Sequence, residues 1–198
     1  MRVKDLMTTP VVTLRPDTPI KEAAALLVRH GISGAPVVDD HEQLIGIVSE
    51  SDLMALETSP DPRSRILPQR WRRIRVPRRV EQVMTREVVS LPEGADVSDA
   101  ARLMLERRVK RIPVVEAGRV VGIVSRRDVL RLLARSDAEI RAEIGELLDD
   151  EILMLGRFEA EVEGGLVTLS GPPDPRARRL AELLARSVGG VVEVRFTA

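Results

Sequence analysis

The sequence of 198 residues contains no cysteine, and its only histidines are His30 and His41. The absence of cysteine excludes a disulfide framework, a thiolate zinc site and a cysteine nucleophile. Two histidines are also too few for a metal centre built mainly from imidazole ligands. The composition therefore disfavours thiol chemistry and histidine–metal chemistry.

The chain also lacks an excess of charge of either sign and lacks a long apolar run. Lys and Arg number 31, as do Asp and Glu, so no global field directs the protein towards nucleic acid or acidic surfaces. No apolar run approaches the ~20 residues that span a bilayer, and the opening MRVKDLMTTP has no apolar signal-peptide core. We therefore expect a cytoplasmic protein.

What the sequence does contain is an internal repeat, with an offset of about 76 residues. VKDLMTTPVVTL near the start is echoed by VEQVMTREVVSL, and GISGAPVV…GIVSESD is echoed by VKRIPVV…GIVSRRD. Each copy has roughly 55–60 residues, a size that buries only about 60% of its unfolded surface. We therefore expect the two copies to pack on each other.

Each copy has the pattern of a β-α-β-β-α unit. PVVTL and EVVSL are β-branched runs typical of short strands. The following helix in the first copy has Thr18 as a candidate N-cap and Gly31 as its stop. Two apolar runs joined by a polar turn then predict a hairpin, and a second helix begins at Ser49 or Ser125.

The pattern changes after Leu133. DAEIRAEIGELLDDEI predicts an amphipathic helix with Ile140, Ile144 and Leu147 on its inner face. Alternating residues around Gly164-Gly165 predict a hairpin. A proline-initiated helix and a final alternating strand complete a separate α-β-β-α-β unit.

The segment between the repeats is rich in arginine and proline. Arg63 to Arg79 contains eight arginines and no acidic residue, with Trp71, the only tryptophan, among them. A solvated linker with Trp71 held on a neighbouring surface explains this composition. A site for phosphate or acidic surfaces also explains it, as does binding of single-stranded nucleic acid. These alternatives remain open.

The repeats end in two related motifs, Ser49-x-x-Asp52 and Ser125-x-x-Asp128. A serine three residues before an acid at the start of a helix is the sequence form of a capping box. The same position offers backbone N–H groups to a phosphate, and an aspartate there can accept hydrogen bonds from ribose hydroxyls. The motifs therefore allow either a structural or a nucleotide-binding role.

No catalytic constellation is visible in the sequence. No histidine stands beside a nucleophile, and there is no GxxxxGK phosphate loop and no carboxylate cluster with metal-ligand spacing. We expect a protein without enzymatic activity.

Taken together, the repeated lead-in, strand and GIVSxxD motifs make residues 1–134 resemble a tandem pair of CBS domains, or Bateman module. The EGGLVTLSG hairpin and SVGGVVEV make residues 137–198 resemble a BON domain. The resemblance implies an α/β (α+β) fold with two pseudo-symmetric repeats packed together. It divides the chain into 1–58, a linker at 59–79, 80–134 and 137–198.

The resemblance implies two clefts that bind AMP, ADP or ATP as a regulatory ligand, with S-adenosylmethionine as an alternative and no required cofactor. The aspartates would hold ribose hydroxyls, the motif serines would contact ribose or phosphate, and strand residues would line the base slots. The implied binding residues are Thr13, Ile32, Ala35, Pro36, Ser49, Asp52, Ser90, Ile112, Pro113, Ser125, Arg127 and Asp128.

The two copies differ in charge near these motifs. The second has Arg126 and Arg127 where the first has Glu50 and Ser51, and it also carries Arg108, Lys110 and Arg111. An anionic phosphate should prefer the basic set, if these arginines face a ligand rather than solvent.

We therefore expect a regulatory sensor that signals to its BON domain or to an unidentified protein partner, and a homodimer formed through the CBS pair. BON domains are associated with phospholipid surfaces or with protein contacts, mostly in exported proteins, and the missing signal peptide argues against membrane contact here. Two alternatives remain: an interaction protein with vestigial clefts, and nucleic-acid binding through the arginine-rich linker.

Overall fold

The computed structural model of the protein describes residues 1–55, 77–149 and 157–197. Most of the predicted linker, including Trp71, lies outside the described residues. No helix within the three described ranges is both long enough and apolar enough to cross a membrane.

Both repeats contain a helix, an antiparallel hairpin and a second helix, which confirms the predicted α/β class. The first repeat contains α1 (Ile20–His30), β1 (Gly34–Val38), β2 (Leu44–Ser49) and α2 (Glu50–Met54). The second contains α3 (Val97–Glu106), β3 (Arg111–Glu116), β4 (Arg119–Ser125) and α4 (Arg126–Leu133).

The first predicted strand of each repeat is reduced to one pairing residue. Leu14 forms a parallel bridge with Val37 of β1, and Leu91 forms the same bridge with Val114 of β3. The extended segments that end at these residues cross from one repeat to the other, so neither repeat can pair with a full strand. We call Thr8–Leu14 and Thr85–Leu91 the lead-in segments.

The start of α1 also differs from the prediction. Pro19 is the N-cap residue, and no side chain caps the helix. The hydroxyl of Thr18 instead accepts a hydrogen bond from the Arg15 N–H at 3.1 Å. The hydroxyl is therefore engaged in the turn before the helix. Gly31 ends α1 in the left-handed region at φ 61°, as the sequence indicates.

Two short 3₁₀ turns, Val3–Asp5 and Val80–Gln82, precede the lead-in segments and are exchanged between the repeats. The Val3 N–H donates to the Ala95 carbonyl of the second repeat at 2.8 Å, and the Val80 N–H donates to the Thr18 carbonyl of the first at 3.0 Å. Val3 and Val80 are fully buried. Each belongs to the hydrophobic core of the opposite repeat.

Two glycines make room for this exchange. The side chain of Met84 lies against Gly46 of β2, where an added Cβ would stand 2.6 Å from the methionine sulfur. Met7 lies against Gly122 of β4 in the same way. Beside them, Thr85 exchanges two backbone hydrogen bonds with Ile47, both at 2.9 Å. The repeats are thus interlocked rather than merely in contact.

The C-terminal unit has the predicted α-β-β-α-β order. Its elements are α5 (Asp137–Leu148), β5 (Glu159–Glu163), β6 (Leu166–Ser170), α6 (Pro175–Ser187) and β7 (Glu193–Phe196). The strands form one sheet in the order β5-β6-β7, antiparallel and then parallel. On α5, Ile140, Ile144 and Leu148 are buried in the core, and Leu147 is only partly buried.

The turn after α6 contacts the end of α4. The Arg135 guanidinium donates to the Gly189 carbonyl at 3.0 Å and pairs with Glu143 of α5 at 2.7 Å. Gly190 faces the Leu132 carbonyl, which an added Cβ would approach to 2.9 Å. The C-terminal unit therefore rests on the last helix of the second repeat.

Candidate functional site

The two Ser-x-x-Asp motifs have the same geometry at the starts of α2 and α4. Oδ2 of Asp52 accepts hydrogen bonds from the N–H and the hydroxyl of Ser49, both at 2.7 Å. Oδ2 of Asp128 accepts the corresponding bonds from Ser125 at 2.8 and 2.6 Å. Arg131 also donates to Oδ1 of Asp128 at 3.0 Å. The aspartates thus stabilise the helix starts, as the capping interpretation requires.

Both motifs also border open cavities. The larger, which we name the Asp128 cavity, has a volume of about 510 Å³. Its walls are part of the first lead-in segment, the turn between α1 and β1, the start of β3, and the β4–α4 junction. Its lining residues include Thr8, Val11, Val12, Ile32, Ser125 and Asp128.

The second, which we name the Asp52 cavity, has a volume of about 230 Å³. It is built in the same way with the repeats interchanged, from the second lead-in segment, the turn before β3 and the β2–α2 junction. The corresponding residues are Thr85, Val88, Val89, Val109, Ser49 and Asp52.

Each cavity therefore takes its Ser-x-x-Asp motif from one repeat and its lead-in segment from the other. Ile32 of the first repeat lines the Asp128 cavity, together with Ser125, Arg127 and Asp128 of the second repeat. Ser49 and Asp52 share the other cavity with the second lead-in segment. Six of the twelve sequence-predicted residues thus line a cavity, divided between the two sites.

The other six predicted residues line neither cavity. Ala35 and Ile112 are fully buried in the two cores. Pro36 and Pro113 are buried in β1 and β3, and their carbonyls accept the N–H groups of Leu14 and Leu91. The lead-in segments thus pair with the two prolines. The remaining two are the half-buried Thr13 and Ser90, which stand one residue before the bridging leucines.

The sequence analysis missed the lead-in residues that do form the cavity walls. Val11 and Val12 line one cavity, and Val88 and Val89 line the other. The available signal was their equivalence in the two copies, two to three residues before Leu14 and Leu91. In each cavity these apolar side chains share the lining with a carboxylate, a combination that suits a base and a ribose.

Arg111 lies between the two cavities and borders both. Its guanidinium donates to the Gly34 carbonyl at 2.6 Å and to the Ser33 hydroxyl. Burial lowers the pKa of Arg111, and the nearby Glu50 carboxylate opposes that shift. In the repeat alignment, the position of Arg111 is occupied in the first repeat by Gly34. The pseudo-symmetric pair of positions therefore carries one arginine instead of two.

Residues 1–55, 77–149 and 157–197 contain no group of three or more His, Cys, Asp or Glu side chains that could hold a metal ion. Each of the two cavities combines a carboxylate, apolar walls and a charged rim.

Comparison with known families identifies the units. The CBS domain model matches residues 3–58 and 80–135. The chain belongs to the CBS-domain family. The BON domain model matches residues 136–196, so a BON domain follows the CBS pair. Both predicted resemblances are confirmed.

Similar proteins include the inosine-5′-monophosphate dehydrogenase of Methanocaldococcus jannaschii, 30% identical over 131 residues. That match covers 66% of this chain but only 23% of the dehydrogenase, so it concerns the CBS pair and not the whole enzyme.

Two solved structures are similar over the CBS pair. CBSX2 in complex with AMP has a TM-score of 0.54 and 33% identity, covering 66% of this chain and 93% of that chain. The CBS domain pair of protein MJ0100 was solved with 5′-methylthioadenosine and S-adenosyl-L-methionine. It has a TM-score of 0.57 and 30% identity, covering 68% of this chain and 96% of that chain.

Proposed function

We propose that this protein is a non-enzymatic sensor whose CBS pair binds adenosine-containing ligands and signals their presence to the BON domain or a partner. The observation that carries the proposal is the composition of the cavities. Each combines a Ser-x-x-Asp motif of one repeat with the lead-in segment of the other. A ligand in either cavity would therefore contact both repeats and change how they pack.

The chemistry of the Asp128 cavity suits an adenine nucleotide. Asp128 offers a carboxylate to the ribose hydroxyls, Val11 and Val12 offer an apolar surface to the base, and the α4 start with Arg127 offers positive charge to phosphate. Its volume of about 510 Å³ lies within the usual range for small-molecule sites. The ligands of CBSX2 and of the MJ0100 domain pair support this ligand class.

Calorimetric titration of the full chain with AMP, ADP, ATP and S-adenosylmethionine tests the proposal. We expect saturable binding that Asp128→Ala or Asp52→Ala removes from its own cavity. Ser98→Ala, which lines neither cavity, is the control. Folded protein, freed of co-purified nucleotide, that shows no binding to any of these ligands would contradict the sensor function.

The contacts of α4 support a direct route from the Asp128 cavity to the BON domain. The first residues of α4 line the cavity, and Arg131 on the same helix holds Asp128. The end of this eight-residue helix carries Leu132, and Arg135 just beyond it binds the BON turn at Gly189. A ligand that displaces Arg131 or tilts α4 would shift the BON contact.

Hydrogen exchange with and without the bound nucleotide tests this route. We expect ligand to change amide protection in the turn around Gly189 and in α5, and Arg135→Ala to abolish that change without removing nucleotide binding. Arg141→Ala on the exposed side of α5 serves as the control. An unchanged BON response in Arg135→Ala would exclude this route and leave a partner protein as the reader.

Exposed apolar side chains at equivalent helix positions support a homodimer. Val28 of α1 and Leu105 of α3 are 82% and 70% exposed, and Met54 and Leu130 are also exposed. Such residues are normally covered when they form a patch. We expect a dimer by light scattering that Val28→Glu with Leu105→Glu converts to a monomer. Val192→Glu, at an exposed BON position, should leave the dimer unchanged.

A further inference from the structure

The two cavities differ in charge, although similar repeats build them. Five cationic side chains and one carboxylate line the Asp128 cavity: Lys110, Arg111, Arg126, Arg127, Arg131 and Asp128. Three cationic side chains and three carboxylates line the Asp52 cavity: Arg108, Lys110, Arg111, Glu50, Asp52 and Glu87. Since Lys110 and Arg111 border both, the difference comes from the remaining side chains.

The arginines of the Asp128 cavity are not equally available to a ligand. Arg126 donates to the carbonyls of Met104 at 2.9 Å and Val109 at 3.1 Å, so it braces the cavity wall. Arg131 is paired with Asp128. Arg127 is exposed, and its guanidinium has no hydrogen-bond or ion-pair partner within the described ranges. It can therefore bind phosphate without giving up a protein contact.

The Asp52 cavity lacks positive charge at the positions equivalent to Arg126 and Arg127. Glu50 is the repeat counterpart of Arg126, and Ser51 is the counterpart of Arg127. Glu50 and Glu87 are exposed at the rim, where their carboxylates would repel a phosphate chain. A neutral or positively charged substituent would meet no such repulsion.

Size favours the same division. The Asp52 cavity, at about 230 Å³, has less than half the volume of the Asp128 cavity. The smaller cavity thus offers less space and less positive charge for a phosphate chain.

We infer that the two cavities select different ligands. The Asp128 cavity takes a nucleoside polyphosphate, and the Asp52 cavity takes a nucleoside whose 5′ group is neutral or cationic, such as a thioether or a sulfonium. This inference rests on the proposed function and makes the protein a comparator of two adenosine compounds rather than a duplicate sensor of one.

Calorimetry with ATP and with 5′-methylthioadenosine, separately and in the presence of the other, tests the inference. We expect one site per chain for each ligand and no displacement of either by the other. Arg127→Ser, which copies Ser51 of the first repeat, should weaken ATP binding about tenfold or more and leave the 5′-methylthioadenosine isotherm unchanged. Asp52→Ala should remove only 5′-methylthioadenosine binding.

A matched gain-of-binding variant makes the test sharper. Glu50→Arg, Ser51→Arg and Glu87→Gln together give the Asp52 cavity five cationic side chains and one carboxylate, as in its counterpart, and should add ATP binding at this cavity. Raising the salt concentration should weaken ATP binding and leave 5′-methylthioadenosine binding nearly constant.

Competition of the two ligands for the same sites, or equal weakening of both by Arg127→Ser, would overturn the inference while leaving the proposed function intact. Failure of the folded chain to bind any adenosine ligand would instead overturn the proposed function and the inference with it.

Discussion

At the scale of single residues, Asp52 and Asp128 serve both the fold and the cavity. One carboxylate oxygen of each is held by the serine that precedes the helix. The other oxygen of Asp128 is paired with Arg131, whereas that of Asp52 has no hydrogen-bond partner within residues 1–55, 77–149 and 157–197. A ribose bound in the Asp128 cavity must therefore either share the Asp128 carboxylate with Arg131 or displace the Arg131 side chain from it.

The close contact at Gly46 makes a specific stability prediction. Gly46→Ala would place a methyl group 2.6 Å from the Met84 sulfur and 3.3 Å from the Thr85 carbonyl oxygen. We expect a loss of about 1–2 kcal/mol, since methionine can move only partly out of a filled core. Thermal unfolding measures this loss.

The matched control is Gly94→Ala, where the added Cβ meets no atom within 4 Å. It should unfold like the unchanged protein. Equal stability of Gly46→Ala and Gly94→Ala would argue against the placement of Met84.

Arg111 should affect both stability and binding. Arg111→Ala removes the bonds to Ser33 and Gly34 across the repeats, and we expect a loss of about 2 kcal/mol. Because Arg111 borders both cavities, affinity for an adenosine ligand should fall in each. Denaturant unfolding and calorimetry measure the two effects. Arg107→Ala, at an exposed residue outside both cavities, should change neither.

Among single residues, the sequence pointed to the Ser-x-x-Asp residues of the cavities but not to the lead-in residues of the cavity walls. Ser49, Asp52, Ser125 and Asp128 could be found because a helix start fixes which atoms a serine and an acid present. The wall residues depend on where an extended segment crosses between repeats. No local pattern in PVVTL distinguishes Val12, at a cavity, from Thr13, outside it.

At the scale of secondary-structure elements, a capping box at the start of α5 opens the BON domain. Glu139 accepts hydrogen bonds from the N–H and hydroxyl of Ser136, both at 2.8 Å, and the hydroxyl accepts the Glu139 N–H at 3.3 Å. These bonds, led by that from the backbone of Ser136, hold the pKa of Glu139 below its usual value. The helix thus begins immediately after Arg135, which binds the BON turn.

Ser136→Ala should therefore lower stability by about 1 kcal/mol at neutral pH. Since the pKa of Glu139 is depressed in the folded state, its contribution is present above its unfolded pKa and is lost as the pH falls through the folded pKa. The stability difference between Ser136→Ala and the unchanged protein should shrink in acid. Urea unfolding from pH 7 to pH 3 tests this, and a difference that grows in acid would contradict it.

The elements themselves were largely predictable. The hairpins followed from apolar runs around polar turns, and the Gly164-Gly165 turn followed from the need for positive φ, which is 58° and 78° there. Asp137 reinforces that turn by accepting both glycine N–H groups, at 2.8 and 3.0 Å. The first strands were overestimated because β-branched composition indicates extended backbone but not its partner.

At the scale of the whole molecule, the exchanged 3₁₀ turns make the CBS pair one structural unit. Val3 fills the core of the second repeat, and Val80 fills that of the first. Damage to one turn should therefore weaken the opposite repeat. This exchange was not predictable from the repeat alignment, because the alignment shows which residues are equivalent but not which copy they contact.

Hydrogen exchange should detect this crossing. Val3→Ala should reduce amide protection most in β3 and β4, and Val80→Ala should reduce it most in β1 and β2, each at a cost of about 2 kcal/mol. Val192→Ala, at a residue 72% exposed, should change neither hairpin. A loss of protection confined to the repeat in which the substitution lies would contradict the exchange.

The exchanged turns also set an order of events during synthesis. The first repeat lacks part of its core until Val80 and Met84 have left the ribosome, and it can then close. The second repeat needs Val3, which is synthesised early but must wait until β4 is complete at Ser125. At ~5–20 residues per second, synthesis of the roughly 40 residues from Met84 to Ser125 takes about 2–8 s. The 3₁₀ turn at Val3–Asp5 is thus synthesised before the helices and strands of both repeats, yet it is buried only after β4 is complete.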